Sequence, residues 1–322
     1  MSQGSDRPNG EILKRHLSRR ELIVRGGSLM GAAIVFGVPG HMLAQGLAVL
    51  DVASAGSIRP MLEGAIKTAI AQDLKLDLHA HAEGADTVAQ SIVSEALRAD
   101  VFIPVTAGPM LTVMHAGKAE TGEPIARTEL VLVYSPKSRF APQLEAAAGG
   151  KANWWEVLQE PGMRIGRGNP AADPGARAIL FAMMLAAKKY NQPNLVDKVV
   201  GPTLNPEQII PGVQAGLQSG AIDVSASYKI GVGSSKLPYI TLPKEINLSS
   251  LNVHTENPEI SLSIGGRTYL PDPLVYYAGL LKGAANPVGA SAFLSWLRGA
   301  EAQALFLQHQ FDAPGEASAI HA

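Results

Sequence analysis

From Leu47 onward, short apolar runs alternate with amphipathic stretches, and this alternation restricts the fold more than any other feature of the chain. Strands that recur with helices between them stack into α/β layers. Residues 48–53 read as a buried strand. The turn Ser54-Ala55-Gly56-Ser57 leads into a helix pattern marked by Met61, Leu62, Ala65, Ile66, Ala69 and Ile70. Ser57 is placed as its N-cap and Pro60 falls in the first turn, where a missing N–H is harmless. Residues 74–82 repeat the arrangement, with Leu76, Leu78, Ala80 and Ala82 on one strand face and Asp77, His79 and His81 on the other. Thr87 and Gln90 are spaced as a capping box ahead of the stripe Val88, Ile92, Val93, Ala96 and Leu97, and residues 98–103 lead into a third strand.

A second α/β region follows. Residues 129–135 form a near-continuous apolar strand, 163–166 another, and 169–175 a turn into a helix over 176–190, with Asp173 as N-cap and Pro174 at the first helical position. The pattern continues with a helix over 207–220, a strand over 221–227 ending at Tyr228, and helical runs over 274–283 and 287–308. A chain of 322 residues exceeds what one small core needs and argues for two lobes.

Charge and cysteine content narrow the function. The chain carries 27 basic and 28 acidic residues, which gives no electrostatic footprint for nucleic acid. The absence of cysteine excludes disulfides, thiolate metal sites, a cysteine nucleophile and a lipoprotein anchor. Residues 1–46 differ in kind: six basic residues against three acidic ones, with Arg19-Arg20 ahead of a short, glycine-rich apolar run. This segment has the form of a twin-arginine export signal, and the run is far from the ~20 apolar residues of a membrane span. What remains is mildly acidic and is expected to be an extracytoplasmic, periplasmic protein.

The residues offer little catalytic chemistry. The chain has no G-x-S-x-G elbow and no P-loop, and Gly166-Arg167-Gly168 lacks the third glycine of a dinucleotide fingerprint. An exported hydrolase would need a serine beside a histidine such as His115 or His254. His79 and His81, two apart on one strand face, form a metal-pair alternative, with a solvated strand face as the bland reading. Trp154 and Trp155 read as cleft or core residues, and Arg167 and Arg177 as anion contacts or surface charges. Strand–turn–helix units place helix N-termini at Ser57, at Ala85 to Thr87 and at Asp173 to Ala176. Such termini present unpaired N–H groups and about half a positive charge, so several that converge make an anion site.

The order and spacing of several stretches resemble the periplasmic molybdate/tungstate-binding proteins, the substrate-binding components of ABC importers. These stretches are Ala55-Gly56-Ser57, residues 98–103, residues 126–138, Trp154-Trp155-Glu156-Val157-Leu158 with residues 161–167, Asp173-Pro174-Gly175, and residues 217–220 with Ile222-Asp223. The resemblance implies an α/β, two-lobe type II periplasmic binding fold, each lobe a mixed sheet flanked by helices, with the ligand cleft between them. Residues 47–128 plus 238–322 would form lobe 1 and 129–237 lobe 2. It implies a small oxyanion ligand, a membrane permease as partner, no cofactor, no catalysis and a monomeric chain. Carried over by position, the ligand-binding residues would be Ser57, Ala85, Asp86, Asp173, Gly175, Ala176, Ser227 and Tyr228. Two positions depart from the family pattern: Ala85, flanked by Glu83 and Asp86, replaces a common serine, and Ser227 replaces the glutamate of archaeal members. These departures keep an organic anion or a divalent metal open as alternatives.

Overall fold

The structure is a computed structural model that describes residues 46–322; the export signal expected at Arg19 and Arg20 lies outside the described residues. The described residues form eleven strands in chain order: β1 (Ala48–Ala55), β2 (Leu76–Glu83), β3 (Val101–Ile103), β4 (Thr121–Arg127), β5 (Leu130–Tyr134), β6 (Val224–Tyr228), β7 (Tyr239–Thr241), β8 (Leu262–Ile264), β9 (Arg267–Tyr269), β10 (Val275–Leu280) and β11 (Ile320–His321). Six of them make one sheet in the order β11-β4-β10-β3-β1-β2, three make a second in the order β6-β5-β7, and β8 and β9 form a hairpin. In the first sheet β1 runs parallel to β2 and β3, whereas β10 is antiparallel to β3 and β4.

β1 is buried toward its C-terminal end, and Leu50, Val52, Leu78 and Ile103 pack into the main core with the helices above them. Full burial of each such side chain is worth about 1.5–3 kcal/mol. The half-buried β2 keeps Leu76 and Leu78 inside and His79 and His81 outside, as its alternation requires.

Only Thr128 and Glu129 separate β4 of the first sheet from β5 of the second. This crossing is pinned: Thr128 N–H donates to Leu274 O and Leu130 N–H to Asn247 O. The Glu129 carboxylate takes bonds from Lys229 Nζ at 2.8 Å and Asn247 Nδ2 at 2.9 Å. β7 pairs with β5, so the second sheet extends to Thr241 and the return crossing falls beyond the expected 237/238 boundary.

Four local expectations are corrected. Residues 274–283 do not form a helix: Val275-Tyr276-Tyr277 is β-branched and aromatic, and it fills the slot between β3 and β4 as β10. The helix expected over 207–220 is confined to Val213–Ser219, because Pro211 stops it and Ile210 N–H instead donates to Arg167 O. The helix Ala85–Val93 is capped at Gly84, three residues ahead of the expected Thr87 cap. Ser57 lies inside a short 3-10 turn, Gly56–Ile58, and makes no capping bond.

Candidate functional site

The long helix Pro174–Lys189 begins where the sequence pattern placed it. Asp173 has extended backbone angles, its Oδ1 accepts from Gly175 N–H at 2.9 Å, and Pro174 supplies the first turn. The helix start faces a cavity of about 510 Å³ between the two sheets. Ser57, at the C-terminal end of β1, contributes from the first sheet; Ser227 and Tyr228, at the end of β6, contribute from the second; Asp173, Gly175 and Ala176 form the helix-start wall.

Tyr228 is the central group. Its ring is buried and its hydroxyl has no hydrogen-bond partner. A Cβ on Gly175 would come within 3.4 Å of that hydroxyl and 3.3 Å of the Asp173 carboxylate, so a glycine at 175 lets the hydroxyl lie close against the helix start. Burial above all, and then the Asp173 charge, push the Tyr228 phenol well above its ordinary value, which leaves it a hydroxyl donor. Burial also raises the Asp173 carboxyl, against the stabilising Gly175 N–H and the Arg177 charge.

Ser57 Oγ lies 2.7 Å from Tyr276 Oη, a long-range bond between the two ends of the first sheet's chain path. Tyr276 is fully buried, and desolvation raises its phenol strongly. Ser227 Oγ donates to Tyr228 O at 3.1 Å. Six of the eight residues carried over by position therefore gather round one cavity.

Ala85 and Asp86 do not line it. Ala85 is buried in the main core, and Asp86 Oδ2 pairs with Arg177 Nη2 at 2.6 Å. That ion pair borders a second cavity of about 470 Å³ on another flank of the helix start, together with Tyr269 and Asp272. Arg177 also donates to Pro170 O at 2.8 Å, and its guanidinium lies 4.0 Å from the centre of the Tyr269 ring. Burial lifts the Asp272 carboxyl to about 6.

The remaining candidates fall elsewhere. His79 and His81 project from edge strand β2 into solvent, where they meet Asp77 at 3.1 Å and Glu83 at 3.6 Å respectively. Among the described residues no three metal-ligating side chains come together. Trp155 stacks on Tyr190 at 3.6 Å, and Trp154 is buried beside it, away from the cavity. No serine–histidine hydrogen bond occurs among the described residues, and no histidine lines the cavity.

A site of this kind, hydroxyls and a helix start held in a cleft between two α/β sheets, defines a solute-binding architecture. The chain belongs to the bacterial extracellular solute-binding protein family, whose family model matches residues 50–312. A solute-binding protein of Petrotoga mobilis is 28% identical over 188 residues, covering 56% of this chain and 57% of that protein. The molybdate/tungstate-binding protein WtpA of Thermococcus kodakarensis is 28% identical over 210 residues, covering 58% of each. The chain thus matches little more than half the length of these relatives. Among solved structures, the periplasmic molybdate-binding protein of Azotobacter vinelandii superposes with a TM-score of 0.58 at 18% identity, covering 81% of this chain and 98% of that one. The sulfate-binding protein SubI of Mycobacterium tuberculosis H37Rv also gives 0.58, at 16% identity over 84% and 88%. The fold is the type II periplasmic binding fold that these structures share.

Proposed function

We propose that this chain is the extracytoplasmic solute-binding component of an ABC importer and that it captures a small oxyanion of the molybdate or tungstate kind without transforming it. The two sheets would be the cores of two lobes that close on the ligand and present it to a membrane permease. The observation that carries this reading is the Tyr228 hydroxyl, buried and unpartnered where the cavity meets the start of helix Pro174–Lys189. A buried donor without a partner costs about 1–3 kcal/mol, and an anion's oxygen would satisfy it. The names of the WtpA relative and of the Azotobacter structure support the choice of ligand. Export through Arg19 and Arg20 and a monomeric state complete the reading.

Thermal shift of residues 47–322 against molybdate, tungstate, sulfate, phosphate, zinc and a carboxylate panel tests it. A stabilisation that rises with the logarithm of oxyanion concentration is expected. A response to zinc alone would overturn the reading and return attention to His79 and His81.

A further inference from the structure

Arg167 follows Ile165, which bridges to β6, and it precedes the turn into helix Pro174–Lys189. It is only 2% exposed and belongs to the wall of the same cavity as Tyr228. Its polar contacts are all to neutral acceptors: Nε donates to Gln208 Oε1 at 3.3 Å, and Nη2 donates to Thr203 O at 2.8 Å and Pro202 O at 3.3 Å. Nη1 is buried and donates to nothing. The other buried arginine, Arg177, has Asp86 as counter-ion, and the half-exposed Arg164 has Asp223; among the described residues Arg167 has no carboxylate within ion-pair distance.

A buried guanidinium without a counter-charge is an expensive arrangement, because desolvation is repaid only when an anion and its hydrogen bonds are supplied. Burial lowers the proton affinity of Arg167, but an arginine stays charged at any working pH. The charge therefore has to be met from outside the chain, and the cavity it lines is the route of access. The three neutral acceptors hold the side chain in one orientation, which leaves Nη1 for a further partner.

We propose that Arg167 is a ligand-binding residue: its Nη1 donates to an oxygen of the bound anion, and the ligand's negative charge is the missing counter-charge. The site then sets a guanidinium in the same wall as the Asp173 carboxyl, and it selects its ligand by charge as well as by hydroxyl contacts. The shared chemistry is an oxyanion group, whether a free tetraoxo ion or the head of an organic anion, whose body would lie along the apolar wall formed by Ile179, Ile210 and Val213. This inference rests on the reading of the cavity as the ligand site.

Isothermal titration and thermal shift of wild type, Arg167→Met and Arg167→Lys, with tungstate, molybdate and phenylphosphonate as separate probes, test it. Arg167→Met is expected to weaken tungstate or molybdate binding by roughly ten- to one-hundred-fold, the size of a charge-assisted hydrogen bond. Its unliganded melting temperature should stay level or rise, since a lone buried charge is removed. Arg167→Lys should recover part of the affinity, and wild-type affinity should fall with added chloride. If wild type binds phenylphosphonate but neither metalate, and Arg167→Met loses that binding, the inference stands while the metalate reading falls. Equal metalate affinity in wild type and Arg167→Met would overturn the inference and leave the metalate reading intact. A wild type that binds none of the three anions overturns both. An unliganded Arg167→Met that melts lower but binds normally would mark the arginine as a structural tie to Pro202 and Thr203, which also overturns it.

Discussion

Burial lifts the Asp272 carboxyl from its ordinary 3.8 to about 6, against the pull of the His254 and Arg177 charges and with a push from Asp86. The folded chain therefore holds a proton that the unfolded chain has already released in the window between the two values, and stability falls as pH rises through it. The Asp272→Asn variant keeps the shape and removes the ionisation. It should be more stable than wild type by about 2–3 kcal/mol at pH values above 6. The gap should close as pH falls below about 4, where the carboxyl is protonated in both states. Chemical denaturation at a series of pH values reads this directly. Tyr228 gives the second residue-scale prediction. Its hydroxyl is buried and unpartnered, so Tyr228→Phe should leave unliganded stability level or higher. The same variant should lose about 1.5–3 kcal/mol of oxyanion affinity, the worth of a hydrogen bond to a charged group, as measured by calorimetry.

At the scale of elements, the pieces most legible in the sequence are those whose determinants are local. Asp173, Pro174 and Gly175 specify a helix start within three residues, and the cap forms as the pattern requires. The alternation of Leu76 to Glu83 fixes the face of β2 in the same way. The apolar run of β10 fits either a helical or a strand period, and only the slot between β3 and β4 decides the matter. The long-range pairs in and beside the site are likewise invisible to local pattern: Ser57 with Tyr276 and Arg167 with the carbonyls at 202 and 203 in it, Asp86 with Arg177 beside it. One such long-range fit is open to test. A Cβ on Gly166 would come within 2.5 Å of Ile222 Cδ1, so the strip leading to Arg167 sits directly on a buried isoleucine. Gly166→Ala should destabilise by about 1–3 kcal/mol through overpacking. Ile222→Val removes the offending methyl, so the alanine should cost less in that background. A double-mutant cycle by urea denaturation measures the coupling; strict additivity would mean that the strip and the isoleucine relax independently.

Over the whole molecule, what matters is how closely the two sheets' surroundings approach each other across the cavity. Gly84, at the end of β2's turn, lies so near the segment before Asp173 that a Cβ there would sit 2.9 Å from the Ala172 carbonyl oxygen and 3.6 Å from Asp173 Cβ. Close by, the Asp86–Arg177 ion pair joins helix Ala85–Val93 to helix Pro174–Lys189. These contacts bring elements of the first sheet against the helix start that walls the cavity from the second. If the molecule works by closing on its ligand, they are closure contacts, and a side chain at position 84 acts as a wedge. A backbone carbonyl cannot swing aside as a flexible side chain can, so Gly84→Ala has to be accommodated by separating the two halves. The expected result is a larger radius of gyration with ligand in small-angle scattering and an oxyanion affinity lower by about 1–3 kcal/mol, the usual strain of one extra methyl in a packed contact. The unliganded melting temperature should change less than the ligand-induced shift, because the wedge acts on the closed arrangement. A Gly84→Ala protein that binds as wild type does, with an unchanged radius of gyration, would show that the Gly84 contact takes no part in closure.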